Sequence, residues 1–459
     1  MSRPILTLAL SLMLALPAAA APLSEDLTSR LEAAREAYRS SLTVPLTAPT
    51  RPASPALAAY DRALAEVQAQ AAKPDPRDPY LKRKGMWVRP YATDVTRLHM
   101  LEVFDKAQAM GVNEIYLETF FHGKVLYHRP GETAFPRTHA QVDVAAAYAA
   151  EARRRGMKLY AWVHTLKWGA DYAKAHPDHL VQDGWGKPAT STEGASAFIV
   201  SPSVEAVRRQ LYTLAEEIAE TGHYDGLILD YIRYPVRIKG DDVDATPDPR
   251  NFWGYTPEAL ARFFEENPDW DTPAFRRFLE ENELPDPALR EPWLRVWKTW
   301  LAGEIEELIA GIRQRTKGRL ELSMAFFPNY YFHRHDNRMQ ESARWMEHFD
   351  WVSPMCYSYF LDWFPDPFGH YNIDRELRIV EAALQAYLPS ERPTVVPSLT
   401  EDAPGTKLEA KYHHRPFPTQ LAWLKGRKLE GSYPQTRGVA YFTYGWMFPE
   451  AEKARKAPN

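Results

Sequence analysis

From Gly85 onward the chain repeats one pattern: a short run rich in β-branched and aromatic residues, then a longer stretch with helical apolar spacing. The strand-like runs are GMWVRPY from Gly85, NEIYLETF from Asn113, MKLYAWVHT from Met157, DGLILDY from Asp225, LELSMAFF from Leu320, DWVSPMCYSY from Asp350, PTVVPSL from Pro393 and GVAYFTYG from Gly438. Between most of them lie amphipathic stretches such as VTRLHMLEVFDKAQAMG from Val95 and SVEAVRRQLYTLAEEIAETG from Ser203, each closed by a glycine. Eight strand-then-helix units predict a (β/α)8 TIM barrel, an α/β fold whose sites lie at the C-terminal ends of its strands. A doubly wound open sheet fits less well, since no glycine-rich phosphate loop follows any of these strands.

Ahead of the barrel the sequence reads as an export signal and a helical extension. Arg3 gives a basic start, ILTLALSLMLAL (Ile5 to Leu16) is too short to span a bilayer, and Ala18, Ala19 and Ala20 form a small-residue cleavage site. The mature chain is therefore expected to begin near Ala21, outside the cytoplasm, as a secreted or periplasmic protein with no membrane span. The expected domains are a signal peptide over 1–20, a short N-terminal helical extension with a proline-rich linker over 21–84, and the barrel over 85–459 with a long insertion at 236–292. The formal net charge of −4 gives no reason to expect nucleic acid or an anionic membrane as partner. Cys356, the one cysteine, lies inside an apolar strand pattern and reads as a buried core residue with no intrachain disulfide.

Strand alternation assigns directions. In YDGLILDYIRYP (Tyr224 to Pro235), Gly226, Ile228 and Asp230 share one face, while Leu227 and Leu229 suit the helix-covered side. Asp230 then points into the barrel at the strand's end. The same count turns Tyr116 and Glu118 inward in the second strand, and Tyr160, Trp162 and His164 inward in the third. All three polar residues come last, at the upper rim, where loops admit solvent and ligand.

YDGLILDYIRYP, RKGMWVRPY, NEIYLETFFHGKVLY, GMKLYAWVH and FWGYTPEALARFF (Phe252 to Phe264) together resemble glycosyl-hydrolase-like family 10, a group of exported bacterial barrels, over roughly Gly85 to Pro449. The resemblance implies a hydrolase of sugar polymers. The chain departs from the family pattern at Leu229, where an aspartate often precedes the one matching Asp230, and at Glu118, His164 and Met355.

Glycosidic hydrolysis usually needs two carboxyl groups, one protonated to help the leaving oxygen depart and one ionised as nucleophile or base. Asp230 and Glu118 are the expected catalytic pair, two strands apart; Glu118 alternatively pairs with Arg89 or Arg233 in a charged rim. Substrate-binding candidates are His164, Tyr231, Arg233, Arg89, Trp253, Tyr357 and Trp446, the tryptophans as flat faces for sugar rings. Asp362, Asp366, Glu401 and Asp402 are reserves for the second carboxylate, whereas Asp225 and Asp350, at strand starts, are expected to satisfy turn backbone. No cofactor and no metal is expected: YHHRPF (Tyr412 to Phe417) has adjacent histidines that rarely converge on one ion, and DDVD (Asp241 to Asp244) lacks the glycine and distal glutamate of a calcium loop. The partner expected is a polysaccharide or oligosaccharide. The alternative is a carbohydrate-binding barrel without catalysis, which Leu229 favours.

Overall fold

A computed structural model describes residues 25–42, 55–71, 81–91, 96–190, 198–235, 248–327, 345–357, 370–400, 417–429 and 431–456. The export signal, the proline-rich connection over 73–80 and the DDVD segment lie outside them.

Each β-rich run named above forms a strand. In chain order these are β1 (Arg83–Val88), β2 (Glu114–Phe121), β3 (Lys124–Val125), β4 (Lys158–His164), β5 (Gly226–Asp230), β6 (Glu321–Phe326), β7 (Trp351–Pro354), β8 (Thr394–Val395), β9 (Ser398–Thr400) and β10 (Gly438–Phe442). The sheet runs β8-β7-β6-β5-β4-β2-β1-β10-β9, parallel throughout, with β3 added to β2 as a short antiparallel hairpin. Its two ends, β8 and β9, are halves of one run, PTVVPSL. Pro397 lacks an N–H and interrupts the ladder there. β8 pairs with β7 and β9 with β10, while Cys356 N donates to Ser398 O at 3.0 Å across the split. Eight strand positions thus close into a (β/α)8 barrel.

Among the described residues, helices fill the crossovers other than that from β6 to β7: α3 (Arg97–Ala109), α4 (Val144–Arg154), α5 (Gly169–Ala175), α6 (Glu205–Thr221), α9 (Arg290–Thr316), α10 (His370–Leu384) and α11 (Phe417–Leu429), with α12 (Tyr444–Met447) and α13 (Pro449–Lys456) after β10. α6 shows why they form. Its Val207, Leu211, Leu214, Ala215 and Ile218 recur at helical spacing on one buried stripe, and Gly222 ends it in the left-handed conformation at φ 61°. The connection after β5, expected as a loop, instead carries α7 (Pro257–Glu266) and α8 (Pro273–Glu281), both started by a threonine cap and a proline. Their Phe263, Phe275 and Phe278 pack with Trp293, Trp297 and Trp300 of α9, which gives this insertion apolar contacts of its own.

The alternation read from the sequence holds. Tyr116, Tyr160, Trp162 and Ile228 join Trp87, Ala325, Trp351, Val396 and Ala440 in an inner cluster. Ile115, Leu117, Leu159, Ala161, Val163, Leu227 and Leu229 belong to the outer layer under the helices. Below the inner aromatics, Arg83 closes the barrel floor against Glu114 (2.9 Å) and Glu321 (3.0 Å), with Tyr116 and Tyr160 hydroxyls donating to those carboxylates. Asp225 and Asp350 accept the backbone N–H groups of Leu159 and Leu322, each at 2.8 Å, as strand-start aspartates should. Cys356 is fully buried.

Helices α1 (Glu25–Leu42) and α2 (Pro55–Ala71) form a hairpin on the barrel wall. Leu31, Leu64 and Val67 are buried, and a charged cluster ties the hairpin to α3 and α4. Tyr60 donates to Asp105 (2.7 Å), which also meets Arg35 and Arg155 at 2.8 Å each, and Arg155 contacts Glu151 at 2.6 Å. No helix among the described residues is long and apolar enough to cross a membrane.

Candidate active site

The upper end of the barrel, like its floor, carries buried carboxylates, here Asp230 and Glu118. Asp230 ends β5 at 9 % exposure. Trp162 Nε1 donates to its Oδ2 at 2.9 Å and Tyr231 N to its Oδ1 at 2.7 Å, so the carboxylate is fixed by one inward indole and one backbone amide. Tyr231 itself takes φ 52°, rare for a residue with a Cβ. That turn ends the strand and places the tyrosine ring beside His164, 4.8 Å between centroids.

Glu118 reaches the same rim from β2. The β2–β4 register pairs Glu118 with Trp162 and then Phe120 with Val163, so Thr119 is an extra residue in a bulge. The bulge lets Glu118 face inward while Phe120 returns to the outer layer. Arg89 Nε lies 3.2 Å and His164 Nε2 3.1 Å from Glu118 Oε1. These are ion-pair distances without hydrogen-bond geometry: Glu118 Oε1 and both His164 ring nitrogens are buried with no hydrogen-bond partner among the described residues. A buried polar group left this way costs free energy unless something binds to it. Glu118 Oε1 is held here by its short contacts to Arg89 and His164 rather than by aligned hydrogen bonds. His164 stands between the two carboxylates, since it pairs in register with Asp230 and contacts Glu118.

Cations surround this core. Burial lowers the Arg89 guanidinium's pKa, but the charges of Glu118, Tyr231, Tyr91 and Asp230 together outweigh it and hold it above the ordinary value, so Arg89 stays charged; its side chain is 40 % exposed. Lys167 and Arg233 lie over the Tyr231 ring at 4.6 and 5.1 Å. His122, at φ 51°, is pushed below the usual histidine range by burial and then by Lys167 and His164. On the far side, Phe442 stacks with Tyr357 at 5.1 Å and meets Trp446 edge-on at 5.6 Å, and its ring lies 6.0 Å from Arg89 and 6.1 Å from Trp162.

The fold thus brings together Asp230, Glu118, His164, Arg89, Tyr231 and Arg233, and links Tyr357 and Trp446 to them through Phe442. Trp253 stands apart. It is 3 % exposed, bridges Asp183 in antiparallel fashion and anchors the post-β5 segment, so its ring offers no face to a sugar. Four participants were not among the candidates read from the sequence: Trp162, Lys167, His122 and Phe442. Trp162 had a signal in its inward alternation with His164. Asp362, Asp366, Glu401, Asp402 and the histidines of YHHRPF lie outside the described residues. Among the described residues one trio, Glu306, Glu347 and His348, has donor atoms within 4.8 Å of one another, as a metal would require. It sits at the opposite end of the barrel, before β7, and takes no part in the rim.

No protein-family model and no curated protein matches this chain. Solved structures do match. The chain is similar to the β-galactosidase from the Antarctic haloarchaeon Halorubrum lacusprofundi, at TM-score 0.52, 15 % identity and coverage of 79 % of this chain and 52 % of that one. It is similar to the β-galactosidase of the psychrophilic Marinomonas ef1 at TM-score 0.51 and 14 % identity, over 79 % and 54 %. The PgaB (BpsB) glycoside hydrolase domain from Bordetella bronchiseptica aligns at TM-score 0.49 and 17 % identity, over 82 % of this chain and 98 % of the domain. The chain spans about half of each β-galactosidase. The likeness is one of fold, to the barrels of glycoside hydrolases. The family resemblance seen in the sequence is met at that coarser level.

Proposed function

We propose that the protein is a glycoside hydrolase acting on an extracellular or cell-envelope polysaccharide, exported through its N-terminal signal, with Asp230 and Glu118 as the catalytic carboxyl groups. The observation that carries this reading is their convergence on one barrel rim from β5 and β2, with His164 between them. Asp230, oriented by Trp162 and Tyr231, and Glu118, oriented by charge from Arg89, divide the acid and base roles of glycosidic cleavage. His164 and Arg89 sit where they would meet substrate hydroxyls, and Tyr357, Phe442 and Trp446 line the approach opposite Asp230.

A second reading has one observation in its favour. Both oxygens of Asp230 already accept an N–H, and Leu229 stands where a second aspartate is often found, which suits a barrel that binds sugar without cleaving it. Incubation of the purified full-length chain with envelope and plant polysaccharides, scored by reducing-end release, separates the two. Release supports the hydrolase; binding without release by any polymer tested supports the binding barrel. Aryl glycosides with good leaving groups then assign the roles, since they keep much of their rate when the general acid is lost and little when the nucleophile or base is lost.

A further inference from the structure

Trp185 is the one exposed tryptophan among the described residues, at 53 %. It stands at the tip of a turn in the connection that leaves the C-terminal end of β4, on the same side of the barrel as Glu118, His164 and Asp230. A single exposed apolar side chain is ordinary on a protein surface. What sets Trp185 apart is how many specific contacts hold it out.

Asp183, 2 % exposed, organises the turn: its Oδ1 accepts from Trp185 N at 3.0 Å and Lys187 N at 2.9 Å, while its backbone exchanges hydrogen bonds with Lys187 O and Gly186 N. Gly186 supplies the left-handed residue at φ 74°. The turn then docks on the segment following β5, where Gly184 N donates to Arg250 O at 2.9 Å and Asp183 bridges Trp253. A Cβ at Gly184 would lie 2.5 Å from Arg250 Cα, so only glycine permits the approach. Docking sets the Arg250 guanidinium 5.3 Å from the indole centroid, and Asp248 fixes that guanidinium at 2.7 Å. A tip that had only to reverse the chain would take a small polar residue. Here two βα connections are locked together, and a half-exposed indole carries over its ring a guanidinium whose Nε and Nη2 are held by Asp248.

We infer that Trp185, backed by the Arg250 guanidinium, forms a sugar-binding subsite, in which the indole stacks on the apolar face of a pyranose ring of a polysaccharide. This rests on the carbohydrate reading above. A flat, exposed, rigidly held aromatic matches a sugar, which is apolar on its ring faces. The subsite holds the polymer while the carboxylates act elsewhere on the rim.

The test uses full-length Asp230→Asn protein, so that binding is read without turnover, in affinity gel electrophoresis through soluble xylan, galactan and hyaluronan. Trp185→Ala and Trp185→Phe are compared on that background, with melting temperature measured for each. The expected result is retardation by at least one polymer, weakened several-fold to about tenfold in Kd by Trp185→Ala, mostly restored by Trp185→Phe, at unchanged melting temperature. Equal retardation of Trp185→Ala, weakening that tracks a fall in melting temperature, or no retardation of any variant overturns the inference. Should retardation depend on Trp185 while the wild-type chain releases no reducing ends, the subsite stands and the hydrolase reading falls.

Discussion

At the scale of single residues the rim is a set of side chains held by few bonds each, so small changes should separate chemistry from fold. Trp162→Phe keeps an inward ring against Trp87, 4.9 Å away between centroids, but removes the N–H that orients Asp230. A hydrogen bond to a charged group contributes about 1.5–3 kcal/mol, so kcat should fall by roughly 10- to 100-fold with KM and melting temperature little changed. A loss confined to stability would show that Trp162 is only packing. Much of this site was legible in the sequence, because alternation with period two fixes which side of a strand each residue faces; Asp230, Glu118 and His164 followed from it. The bulge at Thr119 did not, since one extra residue leaves no mark in a run of apolar and aromatic residues. Trp253 misled for a related reason: its type suits sugar stacking, while its burial is decided by a distant turn at Asp183.

At the scale of elements, the α1–α2 hairpin and the barrel wall are coupled by buried charge. Asp105→Ala leaves Arg155, whose side chain is 0 % exposed, and Arg35 short of a counter-charge, and should destabilise the protein by about 3–5 kcal/mol in chemical denaturation. A change below about 1 kcal/mol would mean that the hairpin is not held there. The same cluster sets an acid limit. Burial pushes the Glu151 carboxyl up, but the hydrogen bond from Arg154 and the charges of Arg155 and Arg154 outweigh it and hold it below the usual range. A depressed carboxyl contributes stability above its unfolded value, near 4.3, and loses it as pH falls through the lower folded value. Glu151→Gln should therefore cost stability at pH 7 and show a shallower loss than wild type below about pH 4.5. Parallel acid-unfolding curves would contradict this. Element boundaries were only partly readable. Pro397 breaks one expected strand into β8 and β9 through its missing N–H, whereas α7 and α8 fall inside the expected loop insertion, where YTPEAL and DTPAF carry threonine caps followed by proline.

At the scale of the whole molecule, eight strand positions and their crossover helices put every inward polar strand end on one rim, and the functional proposal depends on that geometry. The barrel was readable because its repeat is a pattern of many residues, which no single substitution hides. Export is proposed from the N-terminal segment: material recovered outside the cytoplasm should begin near Ala21, and N-terminal sequencing that finds Met1 on it would contradict cleavage. The central claim is that Asp230 performs chemistry at that rim, and it is tested most directly by reducing-end release from the polysaccharide the wild-type chain degrades, compared with Asp230→Asn at matched melting temperature. The amide is nearly isosteric but cannot ionise, so the rate should fall about 10²- to 10⁴-fold with the fold intact. Release by Asp230→Asn at the wild-type rate would contradict the account.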